Sequence, residues 1–423
     1  MSATTMLNQP FTGQLGDYLI DALQEKSYSS LTFAVAFAKN SGVLRLKESL
    51  EKFRSSGAKI TAFVGVDLGG TSYEALTSLL GLVDELYVVH VESDQTFHSK
   101  VYSLKNETDG VLIVGSNNMT GGGLWTNFES CSVIDLSFNN TSDTAIQNQV
   151  EAFFLLLKNT EKSFSMRITK QGDIDNLLSS KYVEKEVVTH IKRAKKKKST
   201  SREPRSEVTH YFSKGFKAPI PKLNQKPAAT TVLAEADPED EKGIGGAKAK
   251  FIPISEDNYQ VVWFETRAMT GGSANQLDIS MKAAIESGDP SGTEFALNEP
   301  NMMKGGVQFF GVNPQHPDEK KDITINFNGI DYVGNTLLYY VDGARPNGSW
   351  RLQIKGIADD GTAFTSHVER GYLKKKVLAF SRVETDYYFM TVFPEADLEE
   401  FKEASTLVAR NGTSRQARFF GLL

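Results

Sequence analysis

Ser30 to Val66 reads SLTFAVAFAKNSGVLRLKESLEKFRSSGAKITAFVGV, and this stretch decides the fold of the first half of the chain. Its ends, Ser30 to Phe37 and Lys59 to Val66, are short and apolar, with the valine and isoleucine that suit buried strands. Between them, Ser41 to Ser55 sets Val43, Leu44, Leu46, Leu50 and Phe53 at roughly helical spacing. The same alternation continues outward. Thr71 to Leu80 and Thr144 to Leu157 read as helices, while Glu85 to Val91, Gly110 to Val114 and Glu129 to Leu136 read as strands. Strands alternating with helices predict a layered α/β domain. The glycine-rich Val66-Asp67-Leu68-Gly69-Gly70-Thr71-Ser72 lacks the lysine of a phosphate-binding loop. It is read as a strand-to-helix turn capped by Thr71 or Ser72, with no nucleotide assigned to it.

A chain of 423 residues with 40% apolar content exceeds one ordinary core, so two domains are expected. After about residue 185 the texture changes to lysine, serine and proline, then to an acidic and glycine-rich stretch. The predicted division is an α/β domain over 1–185, a charged linker over 186–248 and a second domain over 249–423. In the last part, Tyr259 to Met269, Val307 to Val312, Ile323 to Phe327, Thr336 to Val341, Ser349 to Ile354 and Tyr387 to Val392 are strand candidates between glycine, asparagine and proline turns. That pattern predicts a mostly β domain built as a small barrel.

The single cysteine, Cys131, allows no disulfide within the chain and fits a reducing cytoplasm. No apolar run approaches the roughly 20 residues that cross a bilayer, so no membrane partner is expected. Net charge is -5, yet the basic run Lys192 to Arg205 and the acidic run Glu235 to Glu241 partly cancel in that sum. Segregated charge can offer a positive surface to a polyanion on an acidic protein.

The chemistry-bearing residues follow one another in order: His98-Ser99-Lys100, Gly115-Ser116-Asn117-Asn118 and Asn127-Phe128-Glu129. Phosphodiester cleavage needs a nucleophile, neutralisation of the phosphoryl oxygens and an acid for the leaving oxygen. On a strand, residues i and i+2 share a side, so His98 and Lys100 are expected to project together. The imidazole would attack phosphorus, and the ammonium would hold the negative oxygens. Ser116 and Asn118 offer a hydroxyl and an amide from a turn, and Glu129 could accept from the other ring nitrogen of the histidine. No HExxH, CxxC or carboxylate spacing calls for a metal, and no cofactor is expected.

This order of HxK, GSxN and NxE-like elements resembles the phospholipase D superfamily. HSKVY followed by GSNNMTGGGLWTNFE is similar to its nuclease branch, which holds the BfiI-type and NgoFVII-type restriction endonucleases. The likeness covers roughly residues 10 to 160, including FAVAFAKNSGV and ITAFVGVDLGGTSYEAL. One departure is plain: Lys105 stands where the fuller superfamily signature has an aspartate, and Asp109 comes too late. That counts more against a lipase than against a nuclease. The ordered set occurs once, whereas phospholipases of the superfamily usually carry two HxK copies. A single set implies a homodimer through the N-terminal domain, with one His98 forming a phosphohistidine and the other protonating the leaving oxygen, without a metal ion.

The same resemblance implies that the second domain is similar to the C-terminal recognition domain of that branch, a relative of the plant B-three-type pseudobarrel. Such a domain reads double-stranded DNA with loops carrying arginine, asparagine and glutamine. Arg267, Ser273, Asn275 and Gln276 in one segment, and Arg345, Asn347, Trp350 and Arg351 in another, are the candidates. The leading expectation is a site-specific, metal-independent DNA endonuclease of a restriction or phage-defence system. The alternatives are a nuclease subunit that depends on an ATPase or helicase partner, and a phospholipase D-type lipid phosphodiesterase.

Overall fold

The computed structural model describes residues 3–25, 28–93, 95–159, 161, 164–200, 221, 223, 260–266, 275–312, 320–339, 349–412, 414 and 417–423. In the first half, β2 (Ser30–Val35), β3 (Lys59–Gly65) and β4 (Glu85–Val89) run parallel, joined by α2 (Asn40–Ser55) and α3 (Tyr73–Leu82). On the far side of β2 the ladder turns antiparallel through β5 (Lys100–Lys105), β6 (Asp109–Gly115), β7 (Glu129–Ser137) and β1 (Thr4–Gln9), and β8 (Ser165–Ile168) closes the other edge beside β4.

The strands alternate their side chains between two cores. Phe33, Val35, Ala62, Val64, Leu86 and Val88 face α2, α3 and α1 (Leu15–Glu25). Ala34, Phe63, Tyr87 and Val89 face the opposite layer, where Phe154 and Leu157 of α4 (Thr141–Lys158) cover them. A run apolar at every position thus becomes a strand buried on both faces, as helices on both sides of a sheet require. The five apolar positions expected on α2 are all buried, but they serve two partners. Val43, Leu46, Leu50 and Phe53 join the sheet core, whereas Leu44 packs with residues of the second half. Ser72 caps α3, its hydroxyl accepting from Ala75 N–H at 3.1 Å, as the turn reading expects.

The second half is mostly β sheet. The described strands include β9 (Val261–Glu265), β10 (Gln276–Ser280), β11 (Lys282–Ser287), β12 (Met302–Lys304), β13 (Lys321–Phe327), β14 (Ile330–Tyr339), β15 (Ser349–Gln353), β16 (Lys376–Glu384), β17 (Tyr387–Pro394), β18 (Leu407–Arg410) and β19 (Phe419–Leu422). They form one sheet that begins at β10 and ends with β11 and β12, and no ladder closes it into a barrel among the described residues. Met281 alone separates β10 from β11, so the strand at one end of the sheet and the last but one at the other are joined by one residue. The sheet is therefore rolled around an aromatic core in which Phe264 touches the rings of Phe310, Phe380 and Phe420, and Phe310 those of Phe380 and Tyr388.

One expected strand is absent. Val307 to Val312 is not β: Gly306–Phe310 forms a 3-10 turn. Phe309 and Phe310 are consecutive and both fully buried, their rings edge to face at 5.2 Å. Neighbouring residues of a strand point to opposite faces, so a tight helical turn is what aims both rings inward.

The first 15 residues of the segment read as linker, Glu186–Thr200, form α6. Val187 and Ile191 pack against Trp263, Ala379 and Phe401 of the second half. The halves also meet through Lys47 and Asp331, 2.9 Å apart, and through Lys185 Nζ, which donates to Val392 O at 2.9 Å. Among the described residues no helix is long and apolar enough to cross a membrane.

Candidate active site

His98 and Lys100 lie where β5 begins, near the carboxyl ends of β2 and β3. The strand starts at Lys100, so His98 precedes it in irregular backbone, which corrects the expectation of one strand for both. They still meet, for a more specific reason than strand pleat. The Lys100 ammonium lies 2.8 Å from His98 Nδ1 and donates to His98 O at 2.9 Å. Phe37 meets the imidazole edge to face at 5.9 Å. His98 is exposed while Lys100 is only 6% exposed. Burial pulls the Lys100 pKa below its ordinary value, and the Glu129 charge opposes that pull.

The GSNN turn is stitched to the end of β2. Met119 N–H donates to Phe37 O at 3.1 Å, and Asn118 Oδ1 accepts from Phe37 N–H at 3.0 Å. The carbonyl end of Asn118 is thereby committed, and its Nδ2 is the end left to hold a ligand oxygen. Asn117 turns inward, donating to Gly123 O at 2.7 Å, while its backbone carbonyl accepts from Tyr102 Oη at 3.1 Å. Gly115 is required by packing, since a Cβ there would stand 2.3 Å from Cys131 Cβ. Ser116 reaches outward and donates to Glu129 Oε2.

Glu129 opens β7. Beside Ser116 it accepts from Asn127 Nδ2 at 3.3 Å. The expectation that it orients the His98 ring is not met within this chain: its oxygens take Ser116 and Asn127, and His98 Nδ1 faces Lys100. Before β7 the chain makes a π-helical turn, Gly122–Thr126, a form often found at functional sites. The buried Gln9 amide braces it, donating to Gly122 O at 3.0 Å and Asn127 O at 3.1 Å. Phe128 then projects outward, 69% exposed, and stacks on Phe11, 72% exposed, with ring centroids 5.5 Å apart.

Other residues that invite a site reading have structural roles. Lys105, at the position of the missing aspartate, pairs with Glu151 of α4. His190 and Lys192 are a second histidine-x-lysine spacing that the sequence reading passes over. They lie on α6, where i and i+2 diverge by about 200°, and Lys192 pairs with Glu184. Among the described residues no group of three or more His, Cys, Asp or Glu side chains is gathered for a metal ion.

The DNA-reading candidates divide. Arg267, Ser273, Arg345 and Asn347 fall outside the described residues. Trp350 is fully buried and packs edge to face on Tyr339 at 5.7 Å, so it belongs to the core and not to a reading loop. Asn275 precedes β10, its carbonyl accepting from Ile354 N–H at 2.9 Å. Gln276 and Arg351 come together: Gln276 pairs with Gln353 and Asp278 with Arg351, which puts all four on one half-buried face of the β10–β15 pair. The Arg351 guanidinium holds Asp278 at 3.0 Å.

No protein-family model matches the sequence, and no curated protein matches it either. Solved structures similar to part of it include NucT from Helicobacter pylori, at 12% identity and a TM-score of 0.29, over 37% of this chain and 96% of that one. A phospholipase D family member, Nuc from Salmonella typhimurium, is similar at 14% identity and a TM-score of 0.29, over 40% and 100%. The phosphatidylserine synthase of Haemophilus influenzae is similar at 11% identity and a TM-score of 0.32, over 47% of each chain.

Proposed function

We propose that the chain is a phosphodiesterase that cuts DNA through a histidine nucleophile. The observation that carries this reading is the gathering of His98, Lys100, Ser116, Asn118 and Glu129 at one mouth of the α/β sheet, with the buried Lys100 ammonium held against the exposed imidazole. In the proposed reaction, His98 Nε2 attacks phosphorus and forms a phosphohistidine while the P–O bond to the leaving nucleoside breaks. Lys100 and Asn118 Nδ2 bear the charge that collects on the non-bridging oxygens. Water then attacks phosphorus and releases the imidazole.

This cycle needs an acid for the leaving oxygen and a base for the water, and one ordered set of residues holds one histidine. We assign the second role to His98 of another copy of the chain. The exposed stacked pair Phe11 and Phe128, beside Glu129, supplies an apolar rim that such a copy would cover. A charged Lys100 also fixes Nδ1 as an acceptor, which leaves the ring proton on Nε2. Attack by Nε2 requires that proton to leave, and a facing histidine is a suitable recipient. The mechanism calls on no metal ion. The face that carries Gln276 and Arg351 suits contact with bases or phosphates, and it supports reading the second half as the element that makes cutting site-specific, as restriction or phage defence requires.

The test is incubation of the purified chain with mixed duplex DNA in excess EDTA, compared with His98→Ala. Discrete fragments that vanish in the variant are expected, a loss of at least about 10³-fold in rate. Cleavage that appears only with added divalent metal and survives His98→Ala would falsify the mechanism. Sedimentation of the active species reads the dimer directly.

A further inference from the structure

Asp67 lies in the glycine-rich turn that the sequence reading treats as a plain connection, and the reaction outlined above does not use it. The residue is 8% exposed, and its side chain grips two points of the neighbouring segment. Oδ2 accepts from Phe97 N–H at 2.7 Å, one residue before His98, and Oδ1 meets His90 Nδ1 at 2.5 Å. His90 is the first residue after β4, and Phe97 comes shortly before β5. One carboxylate thus holds two points of the connection that delivers His98, at His90 and at Phe97. The other face of His90 is closed by Glu92, 3.6 Å from Nε2, and by the Tyr182 ring, edge-on at 5.1 Å, whose hydroxyl in turn binds Glu92. The Phe97 ring lies over the end of β3, where Gly65 leaves room: a Cβ there would be 3.0 Å from Phe97 Cδ1.

We propose that Asp67 is a positioning residue for His98: braced by His90, it fixes the Phe97 backbone and so sets where the imidazole stands relative to phosphorus. The inference rests on the phosphodiesterase reading. Because strand pairing begins only at Lys100, no ladder hydrogen bond fixes His98 itself, and Asp67 supplies the missing restraint. Misplacement of a nucleophile by about 1 Å costs roughly 10²-fold in rate.

Three variants test this with bis(p-nitrophenyl) phosphate as substrate. Asp67→Ala is expected to lower kcat about 100-fold with KM within about twofold. Asp67→Asn can still accept from Phe97 N–H and donate to His90 Nδ1, so it should stay within about fivefold of the parent. His90→Ala, which removes only the brace, should fall between them, and it carries the test if Asp67→Ala does not fold. Amide hydrogen exchange adds a readout independent of activity: the peptide carrying Phe97 and His98 should exchange faster in Asp67→Ala, the rest of the domain at the parent rate. Full kcat in Asp67→Ala, or unchanged exchange of that peptide, overturns the proposal. If the parent protein is no faster than His98→Ala, the phosphodiesterase reading has failed instead, and the exchange experiment still decides whether Asp67 holds the segment.

Discussion

The two halves of the molecule carry their proposed functions in different ways. In the first half every candidate catalytic group sits on or beside a strand end, fixed by named bonds: Asn118 to the Phe37 backbone, Lys100 to His98, Glu129 to Ser116. In the second half the strands bury an aromatic core, and the described candidates Gln276 and Arg351 share one half-buried face. Chemistry on a phosphodiester demands fixed geometry. Recognition of a long polymer demands a broad face whose individual contacts each contribute little.

This division can be broken experimentally. The largest expected effect is on chemistry alone: Lys100→Met should lower turnover of a small phosphodiester by about 10³-fold while the affinity for duplex DNA changes by less than about twofold. A parallel loss of DNA binding, measured by fluorescence anisotropy, would show that the halves share their work.

A second effect concerns the seam. Glu74 lies there against Glu186, whose backbone N–H donates to Glu74 Oε2 at 3.0 Å, and beside Lys185. Burial first, and the Glu186 charge second, raise the Glu74 pKa to about 7. The fold favours the neutral acid, so this stabilisation is complete below the ordinary glutamate value of about 4.5 and is lost as pH rises through about 7. Thermal unfolding at pH 5 and pH 8 should differ by up to about 3 kcal/mol from this group, and Glu74→Gln should flatten the difference. A pH profile identical in parent and variant would remove Glu74 from the account.

The smallest effect is on recognition. Arg351→Ala should weaken DNA binding about 5- to 100-fold, the range for one good base contact, and leave small-diester turnover unchanged. No change in affinity or in its salt dependence would assign the Arg351–Asp278 pair to the sheet and not to the ligand.

Much of the first half was legible because its signals are local. A strand buried on both faces is apolar at successive positions, as Phe33 to Phe37 is, and the GSNN turn and the NFE element keep their spacing whatever lies around them. What could not be read there was set by distant partners. That His98 stands outside the strand depends on where pairing with β2 stops, and the Asp67 link joins residues 30 apart in sequence. Glu129 offers the same lesson, since its partners are chosen by the fold of the π turn. In the second half the mostly β character was legible from turn residues between apolar runs. Trp350 reads as a loop residue because it stands among polar neighbours in sequence, while its strand position, opposite Ile279, turns it to the core.

The Met281 connection has a consequence for assembly. A sheet that does not close keeps two unpaired edges, each able to recruit a strand from another molecule. Here one residue joins the strand at one end to the last but one at the other, so the covalent chain does what hydrogen bonds do in a barrel. A nick at Met281 would therefore release the roll and bare its edges, turning a self-contained module into one prone to add strands from its neighbours.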